Sequence, residues 1–279
     1  MSRPAERATT LDGAGLTRTY GTRFGVVAAL CGVDVEVREG ETLGLVGPSG
    51  SGKSTLLSLL LGVERPQHGE VLFNGALLTG PGQIRRARQA VQYIPQDPAS
   101  SLDPRRSVER QLREPLRRFR IPGDHSRLVL DALAQVELGA DHLGRRAHEL
   151  SGGQAQRVAI ARALVTRPRI LLADEAVSGL DLPLRHQVLE LLKEQHVREG
   201  LGLLFVSHDL TAVRFLCDRA LVLDRGRVVE EGPVDRLLGT PRHPTTQELV
   251  DAVPRLPAWD PHPARPALRR RLPAGAACS

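Results

Sequence analysis

Apolar residues along the chain follow two rhythms. Short unbroken runs bounded by turn residues read as strands buried on both faces, and longer stretches with apolar positions three and four apart read as helices. TLGLV at 42–46, ILLA at 170–173 and LLFV at 203–206 are runs of the first kind. Residues 16–46 read as short β runs separated by turns. GEVLFNGALL at 69–78 reads as a hairpin turning at Asn74-Gly75, and VQYIPQDP at 91–98 as a strand stopped by Pro95 and Pro98. Helices are expected from Ser54 to Leu61 and over 183–198. Residues 99–149, rich in Arg, Leu and Glu, read as a mostly helical insertion that continues to about 165.

Strands alternating with helices predict an α/β domain over 16–232, built on a largely parallel sheet with flanking helices. Residues 1–15 before it read as flexible. A short helix is expected within 233–253, and the Pro-, Arg- and Ala-rich residues 254–279 read as disordered. No internal repeat is visible.

Composition narrows the partners more than the fold. The chain has 279 residues, 41% apolar and 25% charged, enough for a large core. No apolar run approaches the roughly 18 residues of a membrane span, and the polar start MSRPAERATT predicts a cytoplasmic protein. Three scattered cysteines, Cys31, Cys217 and Cys278, suit a reducing compartment and argue against a disulfide frame or a metal cluster. The net charge of +6 is spread along the chain and aromatics make up only 3%, which argues against nucleic acid; the modest Arg density at 105–120 fits a face near anionic lipid or a membrane partner at least as well. Of 38 basic residues only Lys53 and Lys193 are lysine. Lysine at position 53 therefore points to a place that needs a compact ammonium rather than a guanidinium fork.

That place is a phosphate loop. Gly47, Pro48, Ser49, Gly50, Ser51, Gly52, Lys53 and Ser54 match G-x-x-x-x-G-K-[ST], with Thr55 following, between a buried strand and a helix. Glycines let backbone N–H groups wrap phosphates at a helix N-terminus. Lys53 would neutralise the β- and γ-phosphates, and the Ser54 hydroxyl would hold Mg²⁺. Such a site needs a carboxylate at the end of a neighbouring strand. Asp174 after ILLA would lie beside Mg²⁺, and Glu175 would polarise the attacking water. Gln96 and His208 also end strands, where ligands collect in open α/β sheets. Gln96 could reach both metal and water, and Tyr20 could stack on adenine.

In order along the chain, Tyr20, the loop at 47–54, Gln96, LSGGQ at 150–154, Asp174 with Glu175, SGLD at 178–181 and His208 resemble the ATP-binding subunit of an ABC transporter. The resemblance covers residues 16–232. It implies an antiparallel β subdomain beside the core, a helical subdomain over about 99–165 and a family-type extension at 233–253. It also implies Mg²⁺-dependent ATP hydrolysis, with Glu175, His208 and Gln96 catalytic. In this family two ATPase domains meet head to tail, so Ser151, Gly152, Gly153 and Gln154, together with Asp181, would face the nucleotide of another chain. The implied partners are a second ATPase subunit, two membrane permeases and an extracellular substrate-binding protein. These would put the chain at the cytoplasmic face of the cell membrane. QDPASSLDPRRSV and GPVDRLLGTPRHPTTQELVDAVP are similar to the peptide, opine and nickel uptake branch, with Thr245 where that branch usually has tyrosine.

Three classes follow. An importer motor for a peptide, nickel or a metallophore fits the tail. A non-transport ATPase on DNA or ribosomes would usually carry a long coiled-coil insertion or two fused units. A binding-only subunit would lack Glu175, His208 or a signature glycine, and all are present.

Overall fold

A computed structural model describes residues 8–23 and 25–253; the expected tail at 254–279 and Cys278 lie outside the described residues. The chain opens on two long antiparallel strands, β1 (Thr10–Thr22) and β2 (Gly25–Arg38). The flexible segment expected to reach residue 15 is therefore corrected, because β1 already begins at Thr10 and Leu11 is fully buried. The short runs expected over 16–46 are corrected with it. Register shifts between Gly13 and Thr17 and between Arg18 and Thr19 break the two-residue alternation, so one bulged strand reads as several pieces.

β3 (Thr42–Val46) runs into the phosphate loop and α1 (Lys53–Leu60). β4 (His68–Phe73) and β5 (Ala76–Leu77) form the expected hairpin, with Asn74 at φ 51 and Gly75 at φ 73 in the left-handed turn. α2 (Pro81–Ala90) was not legible, since only Ala87 is buried and a helix without an apolar stripe has no periodicity to read. β6 (Val91–Ile94) follows. The helical insertion holds α3 (Val108–Phe119) and α4 (His125–Gln135), then leads into α5 (Gly152–Leu164). Val108, Leu112 and Leu116 form the inward stripe of α3, four residues apart. α5 is buried over much of its surface because it packs on α3, α4 and β6 together.

β7 (Ile170–Asp174), α6 (Leu182–Glu199), β8 (Gly202–Val206), α7 (Leu210–Leu216), β9 (Arg219–Asp224) and β10 (Arg227–Pro233) complete the core. The extension is two helices, α8 (Val234–Gly239) and α9 (Pro244–Asp251), where one was expected. Pro241 and Pro244 divide them. The Glu230 carboxylate accepts from the Arg242 and His243 amides, and Thr245 Oγ1 donates to Asp224 at 3.0 Å, so the extension is pinned to the β9–β10 hairpin.

Two sheets result, one antiparallel in the order β2-β1-β4-β5 and one in the order β10-β9-β3-β8-β7-β6. In the second, β9, β3, β8, β7 and β6 are parallel and β10 is antiparallel. Leu171, Ala173, Leu203 and Phe205 face the core shared with α5, α6 and α7. Ile170, Leu172, Leu204 and Val206 face the other core, with α1 and the antiparallel sheet. Burial on both faces is why these strands read as unbroken apolar runs. The arrangement matches the expected α/β core with an antiparallel β subdomain and a helical insertion. Phe205→Ala, at a fully buried position of β8, is expected to cost about 3–5 kcal/mol of folding free energy, measured by urea unfolding; a loss below about 1 kcal/mol would contradict a rigid central strand.

Candidate functional site

Four neighbouring parallel strands end on the same edge, and each delivers part of the site. β3 leads into the phosphate loop, β8 into Ser207 and His208, β7 ends at Asp174 before Glu175, and β6 stops two residues short of Gln96. Sequence positions more than a hundred residues apart meet there because strand order puts them side by side.

The loop is shaped by close approach. Gly47 lies at φ 154, where a Cβ would sit 2.1 Å from the Leu223 carbonyl oxygen; at Gly52, φ 111, it would sit 2.3 Å from that of Ala29. Only glycine lets the backbone pass there. The buried Ser51 links the loop to the β9–β10 turn through its carbonyl, which accepts from the Gly226 amide at 2.9 Å. Pro48, Ser49, Gly50 and Ser54 are exposed, and Thr55 is half-buried in the first turn of α1. Lys53 Nζ donates to the Gly47 and Pro48 carbonyls at 2.8 and 2.9 Å, which centres the ammonium in the loop. Burial lowers the pKa of Lys53, and the negative charges of Glu175 and Asp174 oppose that shift.

Asp174 is 8% exposed and accepts from the Tyr93 hydroxyl at 3.2 Å. Burial pushes its carboxyl above the usual range; the Tyr93 bond opposes the rise, Glu175 adds to it and Lys53 opposes it. Glu175 sits at φ 45, an uncommon conformation for this residue, with its amide donating to the Val206 carbonyl at 2.9 Å. Gln96 Nε2 donates to Glu175 Oε2 at 3.0 Å, and His208 Nδ1 lies 3.4 Å from Oε1. The structure thus brings Gln96, Glu175 and His208 into one cluster.

Other expected residues sit elsewhere. Tyr20 is on β1, its hydroxyl donating to Glu64 at 2.8 Å, with the Arg18 guanidinium 5.1 Å from the ring centre. One ring face is therefore taken by a cation. Ser151 caps α5, its Oγ accepting from the Gln154 amide while the Gln154 side chain accepts from the Ser151 amide. Asp181 caps α6 by accepting from the Leu184 amide at 2.9 Å. Gly152 and Gly153 line a cleft of about 600 Å³ with Gln96, Asp97, Gly179 and Asp181, and no phosphate-loop residue lines it. Tyr93 was missed in the sequence. Its signal was a hydroxyl-bearing ring in a short strand that proved to run beside β7. Gln156 was missed too; its side chain donates to the Ala176 carbonyl at 2.7 Å and ties α5 to the turn after Glu175.

A model of the family described as ABC transporter matches residues 30–178. Proteins of Brucella ovis and Brucella abortus named as peptide import ATP-binding proteins are 42% identical over 266 residues, which is 94% of this chain and 84% of theirs. The glutathione import ATP-binding protein GsiA of Escherichia coli K12 is 39% identical over 287 residues, 97% of this chain and 46% of that protein. Among solved structures, the dimeric post-hydrolysis ATP-binding cassette MJ0796 bound to ADP and Pi superposes with a TM-score of 0.73 at 30% identity, over 80% of this chain and 98% of that one. CbiO1 of Clostridium perfringens superposes with a TM-score of 0.71 at 28% identity, over 82% and 90%.

Gly52→Ala places a methyl against the Ala29 carbonyl at a φ that alanine rarely adopts. It is expected to cost about 1–3 kcal/mol in chemical unfolding. Unchanged stability would show that the loop relaxes freely.

Proposed function

The chain belongs to the ABC transporter family, as an ATP-binding and ATP-hydrolysing subunit, and from that premise we propose that it powers import of a peptide. It would do so as half of a head-to-tail pair of ATPase domains docked on two membrane permeases that are served by an extracellular binding protein. A peptide is favoured over nickel or a metallophore because the relatives described above are named for peptide and glutathione import. The site at the cytoplasmic face of the membrane follows from the permease partners, and among the described residues no helix is long and apolar enough to cross a membrane.

The observation that carries the paired reading is the separation of the two glycine-rich helix starts. Gly152 and Gly153 open on a cleft that no residue of this chain's phosphate loop lines. Ser151, Gly152 and Gly153 offer a hydroxyl, backbone N–H groups and a helix N-terminus, the groups that bind a γ-phosphate. With their own phosphate loop elsewhere, they serve the nucleotide held by the other ATPase. Gln154 keeps that helix start capped, and Asp181 holds the neighbouring helix start in the same cleft.

On the other side, backbone amides of the loop and Lys53 hold the phosphates, and Tyr20 would stack on adenine. Mg²⁺ fits the donors, because Ser54, Asp174 and Gln96 supply only hard oxygen ligands, few enough that phosphates and waters complete the shell. Bound there, it would offset the charge of the β- and γ-phosphates. Glu175 accepts a proton from the attacking water, and Gln96 and His208 hold its carboxylate from two sides. A groove of about 590 Å³ between β6, α3 and α5, lined by Tyr93, Arg106, Glu114, Arg118 and Phe119, is the surface we assign to a permease.

Glu175→Gln is expected to retain ATP binding, lower turnover about 10³-fold, roughly 4 kcal/mol of barrier, and trap the pair with ATP, seen as an earlier elution volume. Near-normal turnover would remove Glu175 from the chemistry. In a homodimer, a Lys53→Ala copy paired with a Ser151→Arg copy concentrates the damage in one site and leaves the other intact. The double mutant paired with wild type damages both sites. More turnover from the first pairing supports the head-to-tail arrangement, and the reverse order overturns it.

A further inference from the structure

Asp174 is a buried carboxylate beside a second one, Glu175, and what orients it lies on a neighbouring strand. Tyr93 of β6 is in register with Leu172 of β7. Because side chains alternate between faces, Leu172 and Asp174 share a face, and Tyr93 packs on that same side with the apolar core under α1. From there its ring reaches one step further along the strand, and the hydroxyl donates to Asp174 Oδ2 at 3.2 Å.

We propose that Tyr93 is a positioning residue for the nucleotide's metal: its phenol occupies one oxygen of Asp174 and so turns the other toward the phosphate loop. The proposal rests on Asp174 being the metal-side carboxylate. A carboxylate next to like charge and nearly out of water rotates unless a donor holds it, and a hydroxyl aimed at a charged oxygen is among the stronger neutral donors for the task. Outer partners of this kind orient metal-side carboxylates and so help to set metal affinity.

Tyr93→Phe deletes the hydroxyl and keeps the ring that fills the core and lines the groove. Mn²⁺ is titrated by electron paramagnetic resonance into the full chain already loaded with a non-hydrolysable ATP analogue. Binding of the analogue without metal is measured separately in EDTA. The variant is expected to bind Mn²⁺ about tenfold more weakly, to bind the metal-free analogue as wild type does, and to need correspondingly more Mg²⁺ for half-maximal ATPase activity. Mn²⁺ affinity within twofold of wild type overturns the proposal. Equal losses in metal-bound and metal-free binding, with a lowered melting temperature, also overturn it by making Tyr93 a packing residue. Failure of the wild type itself to bind Mn²⁺ with the analogue would instead remove the metal-side reading of Asp174.

Discussion

The site depends on four parallel strands, β3, β8, β7 and β6, staying in one register. Each is only four or five residues long, so a slip of one residue would move each core side chain to the opposite face and displace a functional one with it. Two hydrophobic cores, one on each face, prevent that slip. They hold Leu203 and Phe205 on one side of β8 and Leu204 and Val206 on the other. Because both faces are covered, the strand ends are the edge where polar groups can collect, and Gly47, Gln96, Asp174, Glu175 and His208 collect there.

Charge on that edge is arranged as well as placed. Lys53 is drawn into its loop by two carbonyls and faces two carboxylates. Burial makes both the ammonium and the Asp174 carboxyl less willing to be charged, so each depends on the other and on fixed dipoles. Glu175 is held differently, between an amide and an imidazole that follow two other strands. Its left-handed backbone is held by the bond from its own N–H to Val206. Strain of this kind persists where neighbouring structure over-determines it.

The second glycine-rich helix start stands apart from the first within one chain. α5 is anchored by its buried apolar residues and by the Gln156 bond to Ala176. Its N-terminus nevertheless opens on a cleft away from the phosphate loop. Gln96 touches both regions, since it lines that cleft and bonds Glu175.

Much of this was legible in the residues. The buried runs at 42–46, 170–173 and 203–206, the turn at Asn74-Gly75, the phosphate loop and the Asp174-Glu175 pair all carry local signals, because backbone conformation and burial on both faces restrict which residues fit. The order of motifs was enough to bring Gln96 and His208 forward. Strand β1 was hidden by its bulges, α2 by its lack of an apolar stripe, and the split into α8 and α9 by their shortness. Only the tertiary structure decided that Tyr93 meets Asp174, that Glu175 is held between Gln96 and His208, and that the Tyr20 hydroxyl meets Glu64. Those are contacts between segments far apart in the chain. Periodicity along a chain reports which face a residue takes, whereas strand order and register decide which distant residue stands beside it.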